Sequence, residues 1–299
     1  MQTLQTIDNI RIAYDVYGDD SAPVILLIMG LGMPSKAWPD RLIEQLVRHG
    51  LRVVVFDNRD SGESTKIDRY VSPFATFGAI VRTLMRRPVT GFYSLEDMAA
   101  DAVAVLDELQ IKRAHVMGIS MGAMIGQVMA NMYPQRVSSL ISVMGASGNP
   151  RTGLGKLRAI SGILSKPPRH RDLEAMKKYL RKMFKAIGSP GESYSDQQVT
   201  IVAEAMLESG YEQTWSSRQL LAILASGDRS KYLKRIMTPT LVIHGRDDPL
   251  LPLRAGEEVA RLIPNSRMMV INGMGHDLPD RVIDQIVPAV GKHCHRYKD

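Results

Sequence analysis

A serine between two glycines, in the pentapeptide G-I-S-M-G at residues 118–122, is the clearest candidate for chemistry in this sequence. The stretch at 113–117 predicts a short buried strand, and residues 123–133 predict a helix that ends before Pro134. Where a strand turns this sharply into a helix, a Cβ at either glycine would collide with the neighbouring backbone. The turn would lift the Ser120 hydroxyl out of the sheet edge, beside the free N–H groups of the helix. We predict that Ser120 is a nucleophile; the alternative is a tight turn whose serine caps the helix.

A serine hydroxyl is a weak nucleophile at neutral pH, so it needs a base and an acid that orients the base. His276 in the segment G-M-G-H directly follows the last predicted strand, and the glycines before it allow the backbone to turn toward the nucleophile. We predict that His276 is the base. The competing histidines are expected in or beside strands, at a solvated helix end, between two arginines or in the polar tail: His115, His244, His49, His170, His293 and His295.

Two adjacent aspartates compete for the role of the acid. Asp247 and Asp248 lie in the segment H-G-R-D-D-P, directly after a predicted buried strand. The loop after the predicted strand at 137–144 contains no carboxylate. Both aspartates remain candidates on the residues alone.

Strand and helix patterns that could position these residues alternate from residue 24 to 145 and again from 239 to 290. Apolar runs at 24–29 and 52–56 are typical of strands covered on both faces. The alternation predicts an α/β fold, a mostly parallel sheet with helices on both faces. We expect irregular structure at 66–93 with a short helix near 78–85.

Between the two alternating parts, the chain shows helical patterns only. We expect helices at about 171–187, 196–208 and 212–226. The predicted division is a first core part at 1–148, an inserted helical cap at 149–236 and a second core part at 237–299. Such a cap would lie over the carboxyl ends of the strands, where open parallel sheets bind ligands.

Charged residues also follow the strand at 52–56, in the segment D-N-R-D-S-G-E-S. Asp57, Arg59 and Asp60 are candidates for catalysis. We favour a structural role, in which they hold a turn through ion pairs and bonds from side chain to backbone.

The net charge of +7 raises the possibility of a nucleic-acid partner, but the excess is confined to one part of the chain. Residues 151–235 contain 16 lysines and arginines against 8 acidic residues, and the rest contains 22 against 23. No zinc spacing or helix-turn-helix pattern is present, so we predict no nucleic-acid partner. Part of the excess recurs at helical spacing and predicts a solvated helix face: Lys177, Lys178, Arg181, Lys182 and Lys185.

The N-terminal residues lack the basic and apolar regions of a signal peptide. The longest apolar run, at 24–33, is about half the length needed to span a bilayer. The single cysteine, Cys294, permits no internal disulfide. We expect a cytoplasmic protein without membrane insertion, and the sequence does not indicate an oligomeric state. The histidines that flank Cys294 form a weak metal-ligand pattern, and we predict no metal.

Taken together, G-I-S-M-G, D-N-R-D-S-G-E-S, G-R-D-D-P-L-L-P and G-M-G-H resemble motifs of the esterase branch of the α/β-hydrolase superfamily. Two stretches, M-G-L-G-M-P-S-K-A-W-P-D and F-D-N-R-D-S-G-E-S-T, look closest to methylesterases of the aclacinomycin type, which act on polyketide antibiotics. The resemblance covers about 20–150 and 237–290. Its nucleophile, acid and base follow one another in the order of Ser120, Asp248 and His276.

The resemblance implies further site residues. In similar families the acid stands three residues after the glycine, which selects Asp248 over Asp247. Two backbone N–H groups, of Leu31 and Met121, would form an oxyanion hole. Many relatives have a histidine where this chain has Met29, which puts the side-chain support of that loop in doubt.

The predicted activity is a serine hydrolase that cleaves carboxylic esters through an acyl-enzyme, without metal or organic cofactor. C–C bond or lactone hydrolysis, cofactor-free perhydrolysis and acyl transfer would use the same triad, and a ligand receptor that has lost catalysis is a further alternative. The expected partner is a small-molecule ester, with methyl or other small-alcohol esters of bulky apolar acids as the candidates. The candidates to line its pocket are large and apolar: Met33, Trp38, Met121, Met124, Trp215 and Met274.

Overall fold

An eight-stranded sheet runs through the computed structural model, which describes residues 1–6, 8–168 and 172–297. The strand order is β1-β2-β4-β3-β5-β6-β7-β8, and all neighbouring pairs from β4 to β8 are parallel. The first two strands are antiparallel to their neighbours. The strands are β1 Gln2–Gln5, β2 Arg11–Tyr17, β3 Val24–Ile28, β4 Arg52–Phe56, β5 Ala114–Ile119, β6 Val137–Val143, β7 Thr240–Gly245 and β8 Ser266–Ile271.

Helices cover both faces of this sheet, as the alternating pattern predicts. The helices are α1 Asp40–Arg48, α2 Pro73–Leu84, α3 Leu95–Glu108, α4 Met121–Met132, α5 Pro150–Gly153, α6 Leu157–Ile163, α7 Leu173–Ile187, α8 Asp196–Glu208, α9 Gln213–Ser226, α10 Ser230–Leu233, α11 Leu253–Leu262 and α12 Asp280–Arg296.

The two faces of β3 show how the core is divided. Successive side chains of a strand point to opposite faces, so Leu26 and Ile28 join one apolar core and Ile25 and Leu27 join the other. Helices α3, α4 and α11 pack on the first face, and α1 and α12 pack on the second. Because β3 to β8 run in parallel, the loops after β3, β5, β7 and β8 meet at one edge of the sheet.

The predicted strands and helices agree with the structure apart from element ends and several short helices. The helix expected near 78–85 begins earlier, because Ser72 caps it and Pro73 occupies its first turn. The last helix extends beyond the predicted end at 290, past Pro288, since its apolar side remains buried there. His293 and Cys294 are therefore buried helix residues rather than part of a polar tail.

Helices α5 to α10 lie between β6 and β7, in the part of the chain predicted to form a cap. The short helices α5, α6 and α10 were not predicted. The helix predicted from residue 171 begins at Leu173, where Asp172 caps it; Arg171 and His170 lie outside the described residues. The three-part division of the chain stays a prediction.

One member of the predicted solvated face on α7 is not solvated. Lys177 is largely buried and forms ion pairs with Glu174 and Asp196. Asp196 is the first residue of α8, so this lysine joins two neighbouring helices of the insertion. The other four basic residues of the face are exposed: Lys178, Arg181, Lys182 and Lys185.

The described helices were also compared with the requirements for crossing a membrane. None of them combines sufficient length with a sufficiently apolar composition.

Candidate active site

Ser120 lies at the carboxyl end of β5, directly before α4, with φ 54° and ψ −117°. This backbone conformation is sparsely populated for a residue with a side chain. It forms the sharp turn from the strand into the helix. An added Cβ at Gly118 would lie 2.1 Å from the carbonyl oxygen of Gly122, and one at Gly122 would lie 2.0 Å from that of Ile28. The steric reason for both glycines is thus present in the fold. The Ser120 side chain forms no capping bond to α4, so the turn does not use it as a helix cap.

His276 lies in the loop after β8 and is joined to the loop after β7. Its Nδ1 is 2.7 Å from Oδ2 of Asp248, and both side chains are buried. Oδ1 of Asp248 accepts the backbone N–H groups of Leu250 and Leu251, which fixes the carboxylate. Because an ionised carboxylate only accepts hydrogen bonds, Nδ1 carries the proton. The buried Nε2 has no hydrogen-bond partner in the described part of the chain.

The adjacent Asp247 has a different position. Its side chain is exposed, and its Oδ2 accepts the backbone N–H of Gly273 at 2.9 Å. The structure therefore brings Asp248, and not Asp247, to His276, as the resemblance implies.

A competing histidine, His244, is also close to Asp248 but is engaged elsewhere. Its Nε2 lies 2.7 Å from the carbonyl oxygen of Leu251, which requires a proton on Nε2. Burial lowers the pKa of His244, so its ring is neutral near neutral pH. A neutral ring that already donates to the backbone supports the loop around Asp248.

The loop after β3 passes directly beside the serine. An added Cβ at Gly30 would lie 3.4 Å from Cβ of Ser120. Within the described residues, the hydrogen bonds in this loop are donated by the N–H groups of Gly32 and Met33, and none is donated by Leu31. Met121 is the first residue of α4, so its N–H has no partner inside the helix. In the described part of the chain neither predicted oxyanion donor gives its N–H to a backbone carbonyl, so both remain available to a substrate.

A cavity of about 340 Å³ lies between the sheet edge and the inserted helices. Ser120, His276 and Leu31 line it. The inserted helices and their connections contribute a largely apolar wall, which includes Leu154, Ile160, Ile163, Leu164, Met183, Phe184, Ile187, Val202, Leu220, Ile223 and Leu224.

A sequence model of the α/β-hydrolase fold matches residues 23–280, which is most of the chain. The chain belongs to the α/β-hydrolase family.

Individual relatives of this hydrolase agree with that placement. Rhodomycin D methylesterase of Streptomyces peucetius is 27% identical, over 96% of either chain. A 2-hydroxy-6-oxononadienedioate/2-hydroxy-6-oxononatrienedioate hydrolase of Cupriavidus pinatubonensis is 26% identical over 85% of this chain and 81% of its own. A thermophilic esterase of Thermogutta terrifontis has a TM-score of 0.73 at 20% identity, over 100% of both chains, which shows the shared fold. The predicted fold class and the resemblance to methylesterases are confirmed.

Only part of the predicted pocket lines the cavity of this hydrolase. Met33 and Met124 do. Trp38 and Met274 do not, because they are fully buried in the core shared by α1 and α12. Trp215 is also absent from the lining. The spacing of large apolar residues in the sequence does not distinguish a cavity wall from a core.

The side chains of Trp215 and Met121 pack against other parts of the protein and not against the cavity. The Trp215 ring meets that of Tyr211 edge-on, and Nζ of Lys66 lies 4.8 Å from its centroid. Met121 is buried in the core beneath α4, so only its backbone N–H remains a site candidate.

The side-chain support expected from a histidine at position 29 is replaced in this hydrolase. Nδ2 of Asn58 donates to the carbonyl of Met29 at 3.1 Å. Oε1 of Gln219, on α9, accepts the N–H of Gly32 at 2.7 Å, and its Nε2 donates to the carbonyl of Arg59. Gln219 was missed by the sequence reading, because a glutamine within a helix carries no signal of what it faces.

The charged residues after β4 hold a buried turn, as the structural interpretation predicts. Arg59 forms a two-point ion pair with Asp101, and Asp60 forms one with Arg218 of α9. Asp57 accepts the backbone N–H groups at positions 35 and 63. None of the three charged turn residues lines the described cavity. Through the N–H of residue 35, Asp57 also joins this turn to the segment that follows the β3 loop.

A second carboxylate beside the histidine was also missed. Asp277 is buried and accepts the backbone N–H of Ser189 at 3.0 Å and its hydroxyl at 2.5 Å. Oγ of Ser189 accepts the N–H of Gly275, and the N–H of His276 donates to the carbonyl of Ile187. The end of α7 is thereby fastened to the histidine loop. The position of Asp277, directly after G-M-G-H, is a sequence signal that could have indicated a site residue. The sequence around Ser189 contains no such signal.

Proposed function

We propose that this hydrolase cleaves carboxylic esters of bulky, apolar acids through an acyl-enzyme on Ser120. The proposal rests on one observation: Ser120 and His276 line the same apolar cavity, and His276 is bonded to the buried carboxylate of Asp248. Family membership and the methylesterase relatives support an ester-hydrolysing serine hydrolase.

In the first step, Nε2 of His276 takes the proton of the Ser120 hydroxyl while its oxygen attacks the ester carbonyl carbon. Asp248 keeps the other proton on Nδ1 and stabilises the imidazolium that forms. Negative charge moves to the carbonyl oxygen, which accepts hydrogen bonds donated by the N–H groups of Leu31 and Met121. Each such donor contributes roughly 2.7–4 kcal/mol to the stability of the transition state.

The tetrahedral intermediate then collapses. The alcohol leaves with the proton held by His276, and the acyl group remains on Ser120. A water molecule, deprotonated by His276, attacks the acyl carbon from the same side and releases the carboxylic acid. The serine recovers its proton, so no metal or organic cofactor enters the balance of the two steps.

The lining of the cavity favours neutral substrates. Among the described lining residues there is no lysine or arginine, and Asp277 contributes a carboxylate. An anionic substrate would have to desolvate its charge beside that carboxylate, which is unfavourable. The relative from Cupriavidus is named for a dioate substrate, and this wall favours a neutral ester over a dicarboxylate of that kind. By analogy with the Streptomyces relative, we propose methyl or other small-alcohol esters.

The experiment is a panel of neutral p-nitrophenyl and methyl esters, each paired with an analogue that carries a free carboxylate on the acyl chain. We expect a burst of one alcohol per chain, steady release of acid, and a lower kcat/KM for each carboxylated analogue. A fluorophosphonate should form one adduct, on Ser120, and Ser120→Ala should abolish both adduct and turnover.

Three results would contradict the proposal. Labelling of another serine would remove the nucleophile assignment. Full turnover in Ser120→Ala would remove the acyl-enzyme. Transfer of the acyl group to an added alcohol or peroxide in preference to water would indicate an acyltransferase or perhydrolase with the same triad.

A further inference from the structure

The cavity of the active site opens beside exposed apolar side chains. Among the described residues that line it, Leu84 and Leu154 are the exposed ones, at 52% and 47%. Leu84 is the last residue of α2, and Leu154 follows α5. The mouth therefore lies between α2 and the first inserted helices.

Helix α2 presents its large apolar residues outward. Phe74, Phe77 and Val81 share one face with Leu84, because their spacing of three and four residues follows the helical repeat. Phe74 is 88% exposed and Phe77 is 67% exposed. The opposite face of the helix packs on the protein through the small side chain of Ala79. A surface helix of a soluble protein normally turns its large apolar residues toward the core and its polar residues toward solvent. The exposed apolar face of α2 therefore indicates an interaction site.

Exposed leucines continue this surface on the other side of the mouth. Leu157, at the start of α6, is 82% exposed. The surface is called the mouth patch, and its members are Phe74, Phe77, Val81, Leu84, Met85, Leu154 and Leu157.

Both segments that form the mouth patch are basic and contain no acidic residue. Residues 69–93 hold four arginines, and residues 149–168 hold two arginines and two lysines. All are exposed, and none forms an ion pair with a described residue. They are Arg69, Arg82, Arg86, Arg87, Arg151, Lys156, Arg158 and Lys166.

We propose that the mouth patch docks on the surface of an anionic lipid membrane. The phenylalanines and leucines would enter the boundary between headgroups and acyl chains, and the basic residues would lie beside lipid phosphates. A second copy of the chain is a poorer occupant, because a symmetric dimer would place two unpaired sets of positive charge face to face. Charge complementarity therefore selects the anionic membrane.

Docking would turn the mouth of the cavity toward the lipid. A water-insoluble ester dissolved in the membrane could then reach the cavity without crossing bulk water. This consequence rests on the proposed esterase function, whereas docking itself does not.

The test is co-flotation with vesicles of phosphatidylcholine alone and of phosphatidylcholine mixed with phosphatidylglycerol. We expect the wild-type chain to float with the mixed vesicles, less with the neutral ones, and less again in added salt. Phe74→Ser/Phe77→Ser and Arg86→Gln/Arg87→Gln should each weaken flotation, by roughly fivefold for each arginine removed.

Matched variants lie on and after α10, outside the mouth patch and the cavity lining. Tyr232→Ser/Met237→Ser replaces residues that are 46% and 63% exposed, and Lys231→Gln/Lys234→Gln removes the same charge as the arginine pair. Both control variants should float like the wild type. Because all the changed side chains are exposed, turnover of a soluble short-chain ester should be unchanged throughout, which shows that the variants are folded.

Absence of flotation with the mixed vesicles would overturn the proposal, as would equal losses in the control variants. A dimer in light scattering that Phe74→Ser/Phe77→Ser dissociates, without vesicle binding, would make a second copy the occupant and also overturn it. Flotation without ester hydrolysis would overturn the proposed function and leave docking standing. Hydrolysis without flotation would do the opposite.

Discussion

The loops at the sheet edge and the inserted helices α5 to α10 form opposite walls of one cavity, but they are built differently. The loops place polar atoms by steric limits and short hydrogen bonds, as in the turn at Ser120 and the bond from His276 to Asp248. The inserted helices contribute mainly aliphatic side chains and meet the histidine loop through Ser189. The comparison indicates that the reaction depends on the loops and the choice of substrate on the helices.

The largest effect on kcat should come from substituting Asp248, one of the two aspartates of the loop after β7. Asp248→Asn should hold His276 in the wrong tautomer and lower kcat by about 10⁴-fold. Asp247→Asn is the matched control, since that side chain only accepts a backbone N–H and lies away from the histidine. The measurement is kcat on the best neutral ester. Similar losses at both positions would show that Asp248 has no special role.

A second prediction concerns the backbone of the loops. Gly122→Ala places a methyl group 2.0 Å from the carbonyl oxygen of Ile28, and we expect a loss of about 3 kcal/mol or more in the free energy of unfolding. Gly78→Ala is the control, because no atom lies within 4 Å of its added Cβ in the middle of α2. That change should stabilise by roughly 0.5–1 kcal/mol. Urea unfolding measures both, and a fully stable Gly122→Ala would mean the turn is less tight than described.

The link through Ser189 between the inserted helices and the histidine loop gives a third prediction. Ser189→Ala removes the hydroxyl bond to Asp277 and the acceptor for Gly275, so His276 should lose its position and kcat should fall by up to about 10²-fold. Ser195→Ala, which removes only the cap of α8, should cost stability without lowering kcat.

Replacement of Ser189 by threonine tests the same link. Ser189→Thr retains the hydroxyl and should recover part of the lost kcat. If Ser189→Ala raised KM alone, or if Ser195→Ala lowered kcat equally, the link would not position the histidine.

A smaller effect is expected from the helical wall itself. Leu220→Ala enlarges the cavity and should change kcat/KM unequally across a series of acyl chain lengths, by roughly tenfold between short and long esters. Trp215→Ala lies on the same helix but outside the lining, so it should change all esters in the same ratio. Equal profiles for the two variants would remove the helices from substrate selection. The fluorophosphonate rate at Ser120 should vary less than kcat/KM in both.

The smallest effect concerns pH. Burial raises the pKa of the Asp277 carboxyl, against the opposing influence of the hydrogen bonds from Ser189. The folded chain therefore holds this proton more tightly, and its stability falls as the pH rises from the ordinary aspartate pKa of about 3.9 through the raised value. Asp277→Asn should remove that loss, so the wild type should become less stable relative to the variant across this window. Urea unfolding at a series of pH values measures the difference; a constant difference would contradict the assignment.

The architecture was open to prediction because its signals are local. The predicted strand at 52–56 and the helix at 196–208 have the observed bounds, since each follows from an apolar period over a few residues. The start of α3 is equally local: Ser94 and Asp97, three residues apart, bond to each other as a capping box. Of the six inserted helices, only α7, α8 and α9 are predicted from the sequence. Helices α5, α6 and α10 are too short to show an apolar period.

The candidate site divides in the same way. Ser120, His276 and the two aspartates follow predicted strands, and parallel strands bring their carboxyl ends together, so their meeting could be anticipated. Ser189 meets Asp277 across 88 positions of sequence, and Gln219 meets Gly32 across 187. No periodicity relates positions this far apart.

The sequence by itself determined the order of strands and helices, the sharp turn at Ser120 and the loops that hold His276 and Asp248. Each of these depends on sterics or apolar spacing within a few residues, which the chain contains locally. Only the tertiary structure decided which carboxylate meets the histidine, which methionines and tryptophans line the cavity, and that α2 turns its phenylalanines outward. Helical spacing shows that one face is apolar, but how the helix packs on the sheet and its neighbours decides whether that face meets core, cavity or solvent.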